Sequence, residues 1–173
     1  MNLKKLSLTI LILTTVILFA GERPWYRFNE GIQKAQQEKK HVVIDFYTDW
    51  CGWCKVMDQK TFSVPAVEKY LFENLVPIRI DAENRTEKLN FRGKTYTPRE
   101  LTSAFQVTGF PSIAFLTPSL EIITVVPGYI EKDTFLKILE YVNKECYKSK
   151  ISFEEYLKSD CDNRAAPAKK QSK

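Results

Sequence analysis

Residues 42–55, VVIDFYTDWCGWCK, place two cysteines three positions apart at the end of an apolar run. The run begins at residue 41 as HVVIDFY, β-branched and aromatic on both faces apart from Asp45. Such a segment reads as a strand covered on both sides, as in a buried parallel sheet. The residues after the first cysteine, CKVMDQKTF (54–62), read as a helix. A strand covered twice and feeding a helix confines the chain to a sheet with helices on both faces.

The remaining elements fit that frame. NEGIQKAQQEKK (29–40) is a polar helix with Asn29 as its expected N-cap. VPAVEKYLFEN (64–74) continues as a second helix after the cysteines, with Pro65 in its first turn, and LVPIRID (75–81) is another strand. Residues 82–96 are polar, and Arg92-Gly93 is placed to turn a small hairpin. TPRE (97–100) opens a helix with Thr97 and Glu100 as a capping box and Pro98 at the first helical position. SIAFLT (112–117) and IITVVP (122–127) form an antiparallel hairpin. EKDTFLKILEYVNKECY (131–147) is a long amphipathic helix with Phe135, Ile138, Leu139 and Val142 on one stripe. SFEEYLKS (152–159) restarts a short helix with a second capping box, Ser152 to Glu155. The order is α, β, α, β, α, β, β, α. Helix-linked strands are expected to be parallel neighbours, with the hairpin adding an antiparallel edge.

Charge is distributed unevenly. Of the formal +5, Lys4 and Lys5 supply two and residues 144–173 supply three, so residues 21–143 are neutral. The folded part therefore carries no basic face for nucleic acid, and the residues from Arg164 onward read as a disordered, solvated tail. At the other end, MNLKK followed by a largely apolar stretch of 15 residues (6–20) suits an export signal or an N-terminal anchor. No cysteine comes directly after that run to take a lipid. Either route puts the domain outside the cytoplasm, in a bacterial periplasm. The expected organisation is a leader (1–20), a core domain (21–147), a C-terminal helical extension (148–163) and the tail (164–173).

Four cysteines in an exported chain often mean two structural disulfides. Here the spacings separate two roles. Cys146 and Cys161, fifteen apart near the end, are expected to bridge and hold the terminal helices together. Cys51 and Cys54 sit inside the fold. Cys51 lies at a helix N-terminus, where free backbone N–H groups favour an anion, so its pKa is expected to fall and its thiolate to attack disulfides. Cys54, one turn later and expected to be the more buried, can resolve the mixed disulfide. Asp45, in the middle of a buried strand, is costly to ionise. Behind the pair it can accept the proton of Cys54. The bland alternative has Asp45 pointing to solvent at a sheet edge.

VVIDFYTDWCGWCK resembles the active-site segment of thioredoxin-fold proteins, and VTGFPS (107–112) resembles their cis-proline loop. The resemblance implies that Pro111 faces the cysteine pair and that Phe110 offers its backbone to an extended substrate. PGYIEKDTFLKILEYV (127–142) fits the family's last strand and helix, so the likeness covers roughly residues 25–143. The insert TEKLNFRGKTYTPREL and the DQKTF after the cysteines are similar to periplasmic thioredoxin-like proteins of the sulfur-oxidation (SoxW) type. They are also similar to the C-terminal domain of the disulfide-reductant transporter DsbD. The likeness implies a monomeric thiol–disulfide oxidoreductase without a cofactor, serving disulfide-bearing client proteins and drawing electrons from a membrane donor of the DsbD type. The chain departs from the family at three points. Its dipeptide is Gly-Trp, Pro77 stands where cytosolic thioredoxins carry a lysine near the buried Asp, and Phe110 is bulky for its position.

Other readings are weaker. Zinc wants four ligands, and Cys146 and Cys161 lack knuckle spacing. His41 is the sole histidine and reads as a surface or strand-end residue. Trp50 and Trp53 serve either packing or a rim that grips apolar substrate, the second being preferred beside thiols. Three functions remain open: a reductase, a disulfide donor or isomerase, and a non-catalytic module whose Cys51–Cys54 bridge is structural.

Overall fold

A computed structural model describes residues 24–159 and 161. The expected leader (1–20) and tail (164–173) lie outside the described residues. The elements are α1 (Phe28–Glu38), β1 (Val42–Tyr47), α2 (Gly52–Met57), α3 (Pro65–Asn74), β2 (Val76–Asp81), β3 (Leu89–Phe91), β4 (Lys94–Tyr96), α4 (Pro98–Ala104), β5 (Ser112–Leu116), β6 (Ile122–Pro127), α5 (Lys132–Asn143) and α6 (Phe153–Lys158). Four strands form one mixed sheet in the order β2-β1-β5-β6, and β3-β4 form a separate hairpin. β1 and β2 are parallel, as expected of strands joined through helices. β5 runs antiparallel to β1, so parallel pairing stops at the first two strands. The chain returns from β2 through the β3-β4 hairpin and α4, and that longer path lets it re-enter the sheet from the opposite end.

The alternation of side chains along β1 assigns the two faces. Val42, Ile44 and Phe46 point into a core with Phe28, Ile32 and Ala35 of α1, Ile78 and Ile80 of β2, Leu89 and Phe91 of the hairpin, and Leu101 of α4. Val43 points the other way, into a core with Met57, Phe62, Leu71, Phe115, Phe135 and Leu139. By the same alternation Asp45 lies on the second face, the one covered by α2, α3 and α5. It is 2% exposed, which sets aside the edge-facing alternative.

Several local expectations hold in detail. Arg92 and Gly93 both take positive φ, 50° and 80°, as a two-residue hairpin turn of the primed type requires. Both capping boxes are made, at Thr97/Glu100 and Ser152/Glu155, and Pro65 opens α3. Three others are corrected. Asn29 is not the cap of α1, which begins after Arg27. Its amide instead acts as a surrogate backbone, donating to Lys88 O and accepting from Asn90 N, both at 2.8 Å, and so moors the β3-β4 hairpin to α1. The helix expected over 54–62 is α-helical only to Met57 and widens into a π-helical turn, Asp58–Phe62. The last long helix stops at Asn143, where Glu145 adopts a left-handed conformation (φ 56°) and a 3₁₀ turn, Cys146–Ser149, comes next. Cys146 and Cys161 are bonded, and with Ile151 and Tyr156 they form a small cluster of their own.

His41 is a buried strand-end residue. Its Nε2 meets the Tyr147 hydroxyl at 2.8 Å, tying the 3₁₀ turn after α5 to the start of the sheet. Burial pushes the His41 pKa down and that of Tyr147 up to about 12.

Candidate active site

β1 delivers the chain to the site, and residues 48–51 turn it into α2. Cys51 is the N-cap of that helix, in extended conformation, and its sulfur accepts the backbone N–H of Cys54 at 3.0 Å. Cys51 and Cys54 are joined in a disulfide with Cα atoms 5.3 Å apart, one helical turn. Each is 5% exposed. The expected contrast, an open Cys51 above a deeper Cys54, is not found: both cysteines are buried to the same extent.

The rim is aromatic. Trp50, before the pair, and Trp53, between its two cysteines, are 67% and 62% exposed. The Trp50 ring meets Phe110 edge-on at 6.2 Å, and the Trp53 ring lies 5.5 Å from Tyr129. These contacts bring two distant segments to the cysteines. One is the loop of Phe110 and Pro111, whose connecting peptide is cis; the other comes after β6. Pro111 O accepts the backbone N–H of Gly128 at 2.8 Å, which joins the two segments. Gly128 has φ 86°, a conformation costly for a residue with a Cβ.

On the sheet face that α2 covers, Asp45 is not alone. In the β1/β2 register it lies opposite Arg79, whose Nε donates to Oδ2 of Asp45 at 3.0 Å. The other end of the guanidinium pairs with Asp58, the first residue of the π-helical turn. Arg79 is held in place by three rings, with its Cζ 4.7 Å from the Trp25 ring centroid, 5.4 Å from Tyr47 and 5.7 Å from Phe62. Oδ1 of Asp45 has no hydrogen-bond partner among the described residues. Burial dominates the titration and pushes Asp45 up to about 7. Arg79 opposes this and Asp58 reinforces it. The carboxylate thus changes protonation near neutrality, with one oxygen anchored and one free.

Arg79 and Asp58 were not anticipated from the sequence. The signal was the lone cation in VPIRID, two residues after Pro77. Pro77 pairs with Val43 and cannot supply a cation, and Arg79 does so one step along the same face.

Two sulfurs bonded across one helical turn at the start of α2 can store and release an electron pair; fold and cysteine pair define a thiol–disulfide oxidoreductase of thioredoxin type. The chain belongs to the thioredoxin-like domain family, whose profile matches residues 28–143. It is 35% identical over 107 residues to the thiol:disulfide interchange protein DsbD of Actinobacillus pleuropneumoniae, covering 61% of this chain and 16% of that protein. Among solved structures it is similar to a thioredoxin-fold protein from Helicobacter pylori (17% identity, TM-score 0.64, 73% of this chain and 85% of that one). A thioredoxin from Thermus thermophilus is also similar (25% identity, TM-score 0.58, 70% and 88%). The chain spans less than a fifth of the length of the curated relatives it matches. No helix among the described residues is long and apolar enough to cross a membrane.

Proposed function

We propose that this chain reduces protein disulfides in the bacterial periplasm, with Cys51 as nucleophile, Cys54 as resolving thiol and Asp45 as proton acceptor. The observation that carries the reading is the placement of Cys51 as a helix N-cap whose sulfur already accepts a backbone N–H. The same donor supports a thiolate once the bond is reduced.

In the reduced enzyme the Cys51 thiolate attacks one sulfur of a client disulfide. A Cys51–client bond forms, the client S–S bond breaks, and the departing client sulfur takes a proton from water. Cys54 then gives its proton to the free Oδ1 of Asp45 and attacks the Cys51 sulfur. The second client sulfur leaves as a thiolate and takes a proton from water. Two electrons have moved to the client, and the enzyme is left with Cys51 and Cys54 bonded. A dithiol donor must restore it, and the likeness to DsbD supports a membrane donor of that type. Trp50, Trp53, Phe110 and Pro111 form the surface on which an extended client segment lies. The Cys146–Cys161 bond is structural, and the catalytic unit is a monomer.

A Cys54→Ser variant tests the scheme. It captures clients as mixed disulfides through Cys51, separable on non-reducing gels. A structural Cys51–Cys54 bridge in a binding module yields no such adducts. Equilibration of the wild-type pair against glutathione separates a reductant from a disulfide donor or isomerase.

A further inference from the structure

Beyond Phe110 the surface opens into a cavity of about 430 Å³, lined by Ala82, Glu83, Arg85, Arg99, Thr102, Ser103 and Phe110. It belongs to the active-site mouth through one residue. Phe110 immediately precedes Pro111, and its ring packs on Trp50, next to Cys51. The opposite wall comes from the loop after β2 and from α4.

The polar groups here are not equivalent. The Thr102 hydroxyl donates to Pro98 O at 2.8 Å and that of Ser103 to Arg99 O at 3.1 Å, so both are engaged within α4. Arg85 and Arg99 are exposed, and neither side chain has a hydrogen bond or ion pair among the described residues. Arg79 provides the contrast, with its guanidinium held by two carboxylates and three rings. Glu83 also lines the cavity, which leaves the lining with a net positive charge. The surrounding insert has the same sign: residues 82–100 hold five Lys/Arg against three Asp/Glu, while the rest of 21–143 holds eleven against thirteen. A guanidinium presents a planar fork of N–H donors that matches a carboxylate.

We propose that this cavity is a client subsite for a carboxylate, in which Arg85 and Arg99 bind an aspartate or glutamate lying a few residues from the client's reacting cysteine. The inference rests on the proposed exchange function and adds its substrate class. The Trp50/Trp53 rim grips a client without regard to charge. The arginine pair selects among clients, favouring cysteines with an acidic neighbour on the side of the chain that passes Phe110.

The test uses full-length Cys54→Ser protein and short cysteine peptides activated as neutral 2-thiopyridyl disulfides. Attack by Cys51 forms the Cys51–peptide bond and releases thiopyridone, so the rate is read optically and does not depend on the direction of electron flow in the cell. An aspartate is moved one position at a time through an otherwise neutral peptide, and a matched set carries lysine. At one or two adjacent positions the aspartate peptide reacts about tenfold faster than its lysine counterpart, as a charge-assisted pair predicts, and the ratio shrinks as salt rises. Arg85→Gln/Arg99→Gln erases that ratio, and Arg85→Glu/Arg99→Glu inverts it. The subsite is overturned if aspartate and lysine peptides react equally at every position while the neutral peptide reacts well. It is also overturned if the ratio is the same at all positions, which reports only the general field, or if it survives both double variants. Failure of the exchange function reads differently: the neutral peptide then reacts no faster than with free cysteine, and both proposals fall together.

Discussion

Arg79 binds one oxygen of Asp45 and leaves the other bare: Nε donates to Oδ2 at 3.0 Å, while Oδ1 has no partner among the described residues. A cation on both oxygens would hold the carboxylate ionised and useless as a base near neutrality. A cation on neither would leave it protonated well beyond physiological pH. The asymmetric pairing sits between these limits, and its consequences can be measured.

Asp45 makes the bonded form less stable as pH rises. Its folded pKa, about 7, lies above its ordinary value, so the folded state binds the proton more tightly than the unfolded chain does. The associated stability is present in full below about pH 4, the ordinary Asp range, and is lost as pH climbs to about 7. A displacement of about three pH units corresponds to about 4 kcal/mol across that window. Urea titrations of oxidised protein between these pH values should show the decline, and Asp45→Asn should flatten it.

Arg79 and Asp58 should move the pH profile in opposite directions. Arg79 lowers the Asp45 pKa, so Arg79→Met shifts the pH dependence of the resolving step upward. Asp58 raises it, so Asp58→Asn shifts the profile downward. Rapid-mixing measurements of mixed-disulfide resolution over a pH series read both shifts. Shifts of the same sign in the two variants would contradict the assignment.

Gly31 is where α1 meets the sheet most closely. A Cβ there would stand 2.4 Å from Cγ1 and 2.7 Å from Cδ1 of Ile78, in the middle of β2. Gly31→Ala should cost about 2 kcal/mol through overpacking, despite the better helix propensity of alanine. Denaturant midpoints check the stability, and Cys51 reactivity in the folded variant should be unchanged.

The Cys146–Cys161 bond closes a 15-residue separation. Cys146→Ser/Cys161→Ser should lower stability by about 3 kcal/mol on the loop-entropy account. It should leave exchange at Cys51 intact, since the cluster around that bond meets the sheet core only through Tyr141 and Phe153, neither of which lines the cysteine pair. Thermal melts and mixed-disulfide assays separate the two effects.

What the sequence disclosed depends on whether the signal was local. The apolar strand 42–47, the cysteine spacing, both capping boxes and the Arg92-Gly93 turn are each encoded within a few adjacent residues. The odd carboxylate in an apolar run made Asp45 visible for the same reason. Arg79 was hidden because its meaning depends on the register between β1 and β2, and a one-residue slip would have sent it to the other face. The direction of β5 was hidden because connection lengths do not fix it once a hairpin intervenes. The end of α5 carried no glycine or proline, and the polar residues after Val142 continue the helical pattern past the point where Glu145 breaks it. The depth of Cys51 was hidden because it depends on the segments that close over it, the Phe110-Pro111 loop among them, which are remote in sequence.

The exchange chemistry depends above all on Cys51 being a lowered-pKa thiol at a helix start. Its alkylation rate by iodoacetamide, measured across pH in reduced Cys54→Ser protein, reads that property directly. The predicted result is a titration well below the ordinary cysteine value of about 8.5, with rapid modification at neutral pH. A midpoint at or above that value, with modification no faster than that of free cysteine, would contradict the assignment of Cys51 as the nucleophile.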